Sequence, residues 1–122
     1  MAKILIVEDN PDNMKLFRAV LSIRGHKVVG LPGGETLLET MRSEAPALVL
    51  LDIQLPGEDG FQLLAKLQAD RGDALCPVVA LTAHAMSGDQ EKALAAGFTG
   101  YLTKPIDVGT FAGTVEAFIP SA

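Results

Sequence analysis

The sequence is poor in the residues that support several common kinds of protein chemistry. It contains one cysteine, Cys76, so no internal disulfide can form, and it has no tryptophan and one tyrosine. Acidic residues outnumber basic ones, 15 to 10, and the formal net charge is −5. Nothing in this charge balance suggests direct binding to nucleic acid, which relies on a basic surface.

Membrane and nucleotide-binding signals are also missing. No apolar run approaches the about 18 residues of a membrane span, and no charged and then apolar signal segment opens the chain. We therefore expect a cytoplasmic protein that does not enter a membrane. There is no GxxxxGK[ST] loop, and the turn Glu8-Asp9-Asn10-Pro11 is acidic and lacks glycine, which disfavours a dinucleotide there.

What is present is an alternation of short apolar runs with amphipathic segments, in a chain of 122 residues that is 48% hydrophobic and 20% charged. The apolar runs predict strands at residues 3–8, 27–31, 47–52, 77–81 and 99–103. Helix signals follow each run, at Asn10-Pro11, after Gly33-Gly34, after Gly60, near Ser87 and at Asp107. This alternation predicts one α/β domain whose parallel sheet is covered by helices on both sides.

The apolar spacing also marks individual helices. Phe61, Leu64 and Leu67 mark the third helix. Val108, Phe111, Val115 and Phe118 lie on one face of the last helix. Gly109 and Gly113 lie one turn apart in that helix, which indicates either a weak terminal helix or a groove for a partner helix.

Polar residues stand where four of the predicted strands end. Glu8 and Asp9 end the first, Asp52 the third, Thr82 the fourth and Lys104 the fifth. The carboxyl ends of parallel strands meet at one edge, where ligands bind in folds of this class. Crowded carboxylates repel one another unless a cation neutralises them, and a set of oxygen ligands suits Mg²⁺.

This combination predicts phosphoryl chemistry. A carboxylate beside a metal ion and a lysine can attack a phosphoryl group, because the cations hold the transferring oxygens. We expect Asp52 to be the nucleophile and an aspartyl phosphate to be the product.

In these motifs the sequence resembles the receiver domain of two-component response regulators. The resemblance rests on Glu8-Asp9, on Asp52 followed by Pro56 and Gly60, on Thr82-Ala83 and on Lys104-Pro105. The stretches VEDNPDNMKLF and TAHAMSGDQEKALAAG are most similar to the DivK-type single-domain regulators of bacterial cell division and polarity. The resemblance implies a flavodoxin-like (βα)5 doubly wound sheet of strand order 2-1-3-4-5, in a single receiver domain over residues 1–122.

The resemblance also implies roles for residues around the acceptor. Asp52 would accept the phosphoryl group. Asp9, Asp52 and the backbone carbonyl of Gln54 would hold Mg²⁺, for which Mn²⁺ can substitute, and Glu8 would act through a bound water. Gln54 and His84 would tune the rate of dephosphorylation.

Three further residues would sense the phosphoryl group. Lys104 would contact it and would precede a cis peptide bond to Pro105, the residue type at which cis bonds are tolerated. Thr82 would turn inward to a phosphoryl oxygen, and Tyr101 would move from exposed to buried.

The implied function is a switch in protein binding. A histidine kinase or histidine phosphotransfer protein would phosphorylate the chain, and the face formed by the fourth helix, fifth strand and fifth helix would then bind a downstream protein target. Chemistry of its own would be limited to Mg²⁺-dependent self-phosphorylation and slow autodephosphorylation. Nothing after Ala122 could act on DNA, so we expect no output domain. We also expect a monomer.

Three alternatives stay open. The domain could serve as a phosphate sink or relay. It could instead be a phosphohydrolase of the haloacid-dehalogenase type, but that chemistry commonly uses an acid two residues after the nucleophile, where this chain has Gln54. A flavodoxin-like cofactor carrier is disfavoured by the acidic first turn and by the scarcity of aromatic residues that could stack on a flavin.

Overall fold

The computed structural model describes residues 2–55, 57–82, 89–104 and 106–119. Within those residues, five parallel strands form one sheet that is flanked by five α-helices. The strands are β1 (Lys3–Val7), β2 (Lys27–Leu31), β3 (Leu48–Asp52), β4 (Val78–Thr82) and β5 (Gly100–Thr103). The helices are α1 (Pro11–Ile23), α2 (Leu37–Glu44), α3 (Gly60–Arg71), α4 (Asp89–Ala96) and α5 (Val108–Glu116). Among these helices, none is long and apolar enough to cross a membrane.

The strand order is β2-β1-β3-β4-β5, which confirms the predicted fold and topology. The register pairs Asp52 of β3 with Leu81 of β4, and Thr82 with Thr103 of β5. The strands therefore end at a common rim. Glu8, predicted as the last residue of the first strand, lies just beyond β1, yet its N–H still donates to the Leu31 carbonyl at 3.0 Å.

The central strands are buried on both faces because helices cover both. On one face, α2 and α3 pack on alternate strand residues, through Leu37, Met41, Leu63, Leu64 and Leu67. On the other face, α1 and α5 pack on the intervening residues, through Phe17, Leu21, Phe111 and Val115. The rings of Phe17 and Phe111 stack with centroids 5.2 Å apart, so α1 and α5 are neighbours.

Short polar side chains start the helices, largely as predicted. Asn10 accepts hydrogen bonds from the N–H groups of Asp12 and Asn13, and Pro11 occupies the first turn, where its missing donor costs nothing. Asp107 caps α5 by accepting from the Gly109 N–H at 2.8 Å. The predicted start of the fourth helix at Ser87 lies outside the described residues.

One residue on the predicted face of the last helix is not packed. Val108 is 55% exposed, because the side chain of a residue in the first turn points toward the N-terminus, past the packed part of the helix. In α3, Leu64 and Leu67 are buried and Phe61 packs partly buried against the core, and Leu63, which the spacing did not mark, is buried too. Cys76 lies before β4 and is half-buried, and burial raises the pKa of its thiol.

Candidate functional site

Four polar side chains from different strands meet at the rim of the sheet. Asp52 ends β3 and Thr82 ends β4, while Glu8 directly follows β1 and Lys104 directly follows β5. Glu8, Asp52 and Thr82 are almost completely buried, whereas Asp9 is exposed. Polar groups at such depth are costly without partners, so their contacts define the site.

The carboxylate of Asp52 is held at both of its oxygens. Oδ1 accepts a hydrogen bond from the backbone N–H of Gln54 at 2.8 Å. Oδ2 lies 2.7 Å from Nζ of Lys104. The two donors fix the orientation of the carboxylate at the end of β3.

Glu8 is held in the same manner on the neighbouring strand. Its Oε1 lies 2.9 Å from Nζ of Lys104, and its Oε2 accepts a hydrogen bond from the Asn10 N–H at 3.2 Å. Asn10 also caps α1, so the start of that helix and the Glu8 carboxylate are positioned by one turn.

Lys104 is therefore the cation shared by both buried acids. Its backbone N–H donates to the Thr82 carbonyl at 2.7 Å, which extends the pairing of β5 with β4 by one residue. The side chain is largely buried, so its ammonium exchanges much of its hydration for Glu8 and Asp52.

Burial and ion pairing act in opposite directions on these groups. Burial raises the pKa of Glu8, and the hydrogen bond from Lys104 opposes that rise without cancelling it. Burial lowers the pKa of Lys104, but the hydrogen bonds and charges of Asp52 and Glu8 together outweigh it, so the net pKa is raised. The ammonium is thus retained as a cation by the two acids that it joins.

The turn after β3 requires glycine at two positions. Gly57 has φ of +82°, in the left-handed region that other residues avoid. Gly60 lies so close to the end of the strand that a Cβ there would be 2.5 Å from Cα of Ile53. These glycines allow the loop to fold back beside Asp52. Pro56, the other residue of the motif after Asp52, lies outside the described residues.

The acids at the rim fit a divalent metal ion. Glu8, Asp9 and Asp52 each offer one carboxylate oxygen, and these oxygens lie within 4.8 Å of one another. Lys104 balances one of the three negative charges when all three acids are ionised, so two remain. Oxygen ligands with this residual charge match the preference of Mg²⁺.

The structure brings together Glu8, Asp9, Asp52, Thr82 and Lys104, as the strand-end argument predicted. The Gln54 side chain is exposed beside them. Tyr101 is half-buried against the core on the α3 side of the sheet. Residues His84 and Pro105, and with Pro105 the predicted cis bond, lie outside the described residues.

Sequence reasoning missed two features of the site. It did not anticipate that Lys104 would bridge Glu8 and Asp52, because that contact depends on side-chain reach across three strands. It assigned Asn10 to helix capping alone, although the Asn10 N–H also holds Glu8. No sequence signal marked this contact, because the turn in which a side chain accepts from the N–H two residues later is typical of Asp and Asn, and this residue is Glu.

Known proteins with similar sequences and structures share this arrangement of elements. The family described as response regulator receiver domain matches residues 4–116. The polar-differentiation response regulator DivK of Brucella ovis is 38% identical over 119 residues, which cover 98% of this chain and 97% of that protein. The BeF3-activated N-terminal receiver domain of Klebsiella pneumoniae RstA is 33% identical with a TM-score of 0.87, over 98% of this chain and 99% of that one.

A third relative bears on the metal. The receiver domain of the sensor histidine kinase PA1611 from Pseudomonas aeruginosa has a magnesium ion coordinated in its active-site cleft. It is 32% identical to this chain with a TM-score of 0.86, and the match covers 98% of each chain.

Proposed function

Because the chain belongs to the response regulator receiver domain family, we propose that it is a single-domain response regulator that accepts a phosphoryl group on Asp52. The family consists of regulators and not of enzymes with sustained turnover. The proposal of a single receiver domain is supported by the match to DivK of Brucella ovis over 97% of that protein.

The observation that carries the proposal is the pair of contacts on Asp52. The Gln54 N–H holds Oδ1 and the Lys104 ammonium holds Oδ2, so the carboxylate is oriented before any donor arrives. A preorganised nucleophile beside a fixed cation is what phosphoryl transfer requires, since catalysis there depends on positioning and charge stabilisation.

Asp9, Asp52 and the main-chain carbonyl of Gln54 would hold Mg²⁺, and Mn²⁺ could take its place. When bound, the ion would offset negative charge on the phosphoryl oxygens. Glu8 is buried and held by Lys104 and by the Asn10 N–H, which suits it to act on the metal through a water.

In the transfer itself, an Asp52 carboxylate oxygen forms a bond to phosphorus. The phosphorus–nitrogen bond of a phosphohistidine donor breaks, its electron pair stays on the imidazole nitrogen, and that nitrogen takes up a proton from solvent. The Lys104 ammonium stabilises the negative phosphoryl oxygens, and the Gln54 N–H continues to orient the acceptor.

The output would pass through Thr82 and Lys104. Phosphorylation adds a charge of about −1.5 to −2 at the rim, and Thr82 would turn toward it while Lys104 shifts to it. A charge-assisted hydrogen bond contributes about 1.5–3 kcal/mol. Two such bonds are comparable to the differential free energy of about 5.5 kcal/mol that shifts a two-state population from about 1:99 to 99:1. The main-chain bond between Lys104 and Thr82 couples the two responses.

The face that binds the downstream protein would be formed by α4, β5 and α5. Tyr101 lies on β5 three residues before Lys104 and is half-buried, so a change in its burial would alter this face. Leu94 of α4 is exposed and offers an apolar contact there. Gln54 and His84 would set the lifetime of the phosphorylated state, Gln54 by orienting a water at the exposed mouth of the site.

The proposed phosphoryl donor is a histidine kinase or a histidine phosphotransfer protein, and the reader is a downstream protein. A phosphate sink would accept the same phosphoryl group without a change in binding. The test below separates these possibilities.

The chain is incubated with Mg²⁺ and acetyl phosphate, and its mass is measured with the wild type, Asp52→Asn and Asp12→Asn. Asp12 is an exposed acid of α1 outside the site, so Asp12→Asn is the matched control. We expect the wild type and Asp12→Asn to gain one phosphoryl group and Asp52→Asn to gain none.

Equal labelling of Asp52→Asn would refute the assigned acceptor. Repeated release of inorganic phosphate from a phosphomonoester would support the phosphohydrolase instead. In a second arm, the proteins that the wild-type chain retains from lysate are compared with and without beryllofluoride, a mimic of the phosphoryl group. If beryllofluoride does not change which proteins are retained, the result would favour the phosphate sink.

A further inference from the structure

Asn10 lies between the rim of the sheet and the start of α1, and hydrogen bonds hold it to both. On the helix side, its Oδ1 accepts from the N–H groups of Asp12 at 2.9 Å and Asn13 at 3.1 Å. Its carbonyl accepts from the Met14 N–H at 3.0 Å. Since Pro11 has no N–H, these three bonds take up all the main-chain donors of residues 11–14. The start of α1 is therefore anchored on this one residue.

On the rim side, the N–H of Asn10 is itself a donor to Glu8. It reaches Oε2 of that carboxylate at 3.2 Å, while Lys104 holds Oε1. The side chain of Glu8 is 0% exposed, so water cannot readily replace a donor that moves away. The orientation of the buried acid therefore depends on where α1 holds the Asn10 N–H.

Asp9, the exposed acid of the rim, is the residue between these two anchors. On one side of it, the Glu8 N–H donates to the Leu31 carbonyl at 3.0 Å. On the other side, Asn10 is bonded to the first turn of α1. A side chain whose backbone is already fixed on both sides loses less conformational freedom when it binds a ligand. Asn10 thus affects the exposed acid as well as the buried one.

The dipeptide Asn10-Pro11 favours this geometry in the unbound chain. Proline disfavours helical backbone in the residue before it, and Asn10 is extended, with φ of −84° and ψ of 117°. That is the conformation in which an N-cap side chain reaches the N–H groups of the first turn. Replacing the Asn10 side chain removes the cap, whereas the restriction imposed by Pro11 and the N–H to Glu8 stay in the chain.

We propose that Asn10 is a positioning residue of the metal site, through which the N-terminal cap of α1 sets the affinity of the rim for Mg²⁺. The inference rests on the proposed function in one respect, the binding of Mg²⁺ beside Glu8, Asp9 and Asp52. It adds a coupling that acts in both directions. The cap strengthens metal binding, and metal binding stabilises the cap by the same factor.

The first experiment measures the dissociation constant of Mg²⁺ by calorimetric titration of the wild type, Asn10→Ala and Asn10→Ser. Alanine removes the cap and keeps the N–H, whereas serine caps about as well as asparagine. We expect Asn10→Ala to weaken Mg²⁺ binding about threefold to tenfold. This is less than most of the range of about 10–100-fold that follows loss of a partner of a metal ligand, because the N–H remains. Asn10→Ser should restore the wild-type value.

A matched control separates positioning from stability. Asp107→Ala removes the cap of α5, where Asp107 accepts from the Gly109 N–H at 2.8 Å. Both alanine variants should lower the midpoint of urea unfolding without Mg²⁺, because each loses a helix cap. We expect Asn10→Ala alone to change the dissociation constant of Mg²⁺.

The second experiment tests the reverse direction of the coupling. Amide hydrogen exchange is measured by NMR at Asp12 and Asn13, whose N–H groups bind Oδ1 of Asn10. Saturating Mg²⁺ should slow their exchange by a factor comparable to that by which Asn10→Ala weakens Mg²⁺ binding. Exchange at Gly109, the corresponding amide of the α5 cap, should not change.

Three results would overturn the inference. If Asn10→Ala lowers the urea midpoint but binds Mg²⁺ as the wild type does, Asn10 is only a helix cap, and the metal site and phosphorylation of Asp52 are unaffected. If Asn10→Ser binds Mg²⁺ as weakly as Asn10→Ala, the cap does not set the affinity. A wild type that does not bind Mg²⁺ would refute both the proposed metal site and this coupling.

Discussion

Two clusters of charged side chains lie at opposite ends of the strands, and the ratio of acidic to basic groups is reversed between them. In the rim cluster, two buried carboxylates, Glu8 and Asp52, share the single ammonium of Lys104 at 2.9 and 2.7 Å. In the far-edge cluster, one carboxylate is shared by a guanidinium and an imidazole. The first cluster has negative charge in excess, and the second does not.

The far-edge cluster joins the ends of α1 and α5 to the start of β2. Glu116 lies 2.5 Å from Nη2 of Arg24 and 2.8 Å from Nε2 of His26. Nδ1 of His26 accepts from the Ala2 N–H, so Nε2 carries the proton that is donated to Glu116. Both oxygens of Glu116 and both ring nitrogens of His26 therefore have partners within the chain.

The two glutamates respond to these surroundings in opposite directions. Burial raises the pKa of Glu8. The hydrogen bonds of Arg24 and His26 lower the pKa of Glu116 to about 2. Excess buried acid leaves the rim ready for a divalent cation, whereas the far edge is already neutralised and serves to tie two helices together.

Removing the shared cation should give the largest effect. Lys104→Ala leaves two buried acids facing each other, and loss of one partner of a buried ion pair costs about 3–5 kcal/mol. Lys66 pairs with Glu58 on the exposed surface, so Lys66→Ala should change the free energy of unfolding by less than about 0.5 kcal/mol. Urea unfolding without Mg²⁺ measures the free energy of unfolding of both variants. Equal losses of stability would show that the buried ion pairs of Lys104 contribute no more than the exposed pair of Lys66.

Adding Mg²⁺ should have the next largest effect. At about 100 times its dissociation constant, Mg²⁺ should raise the free energy of unfolding by about 2.7 kcal/mol, because it binds the folded site. Asp9→Asn should reduce this gain, since it removes the exposed ligand without disturbing the buried pair. Glu116→Gln should retain the full gain. If Mg²⁺ stabilised the wild type, Asp9→Asn and Glu116→Gln equally, the metal would not bind at the rim.

The rim was largely predictable from sequence because its residues stand at the ends of apolar runs. Asp52 interrupts a run of buried residues, and Lys104 follows the last strand, so topology alone carries both to one edge. The loop contacts were harder to predict from sequence, because the Gln54 N–H reaches Asp52 only through the backbone conformation of the turn. The pattern gave the members of the site, and the structure gave their pairing.

The far edge could not be predicted in the same way. Glu116 and His26 are 90 residues apart, and neither ends an apolar run. Their contact depends on where two helices stop, which packing decides. A groove lies between α1 and α5, and it was only half predictable. Gly109 and Gly113 marked its α5 side in the sequence, but nothing marked Ile23, which lines its α1 side.

The smallest predicted effect concerns pH at the far edge. The folded-state pKa of Glu116 is lowered from 4.5 to about 2, so its ion pairs stabilise the protein above pH 4.5. That contribution is lost as pH falls from about 4.5 through about 2, because the carboxylate is then protonated in both states. Glu116→Gln should therefore melt below the wild type near neutral pH, and the difference should shrink across this window.

Glu44→Gln is the matched control, because Glu44 has one lysine partner, Lys3, and is similarly exposed. Its effect should be smaller than that of Glu116→Gln near neutral pH, since only Glu116 gains two basic partners. Added salt should reduce both effects, because exposed pairs are screened. A Glu116→Gln difference that persists at pH 2 would mean that the side chain acts by packing and not by charge, and the contrast with the rim would then rest on burial alone.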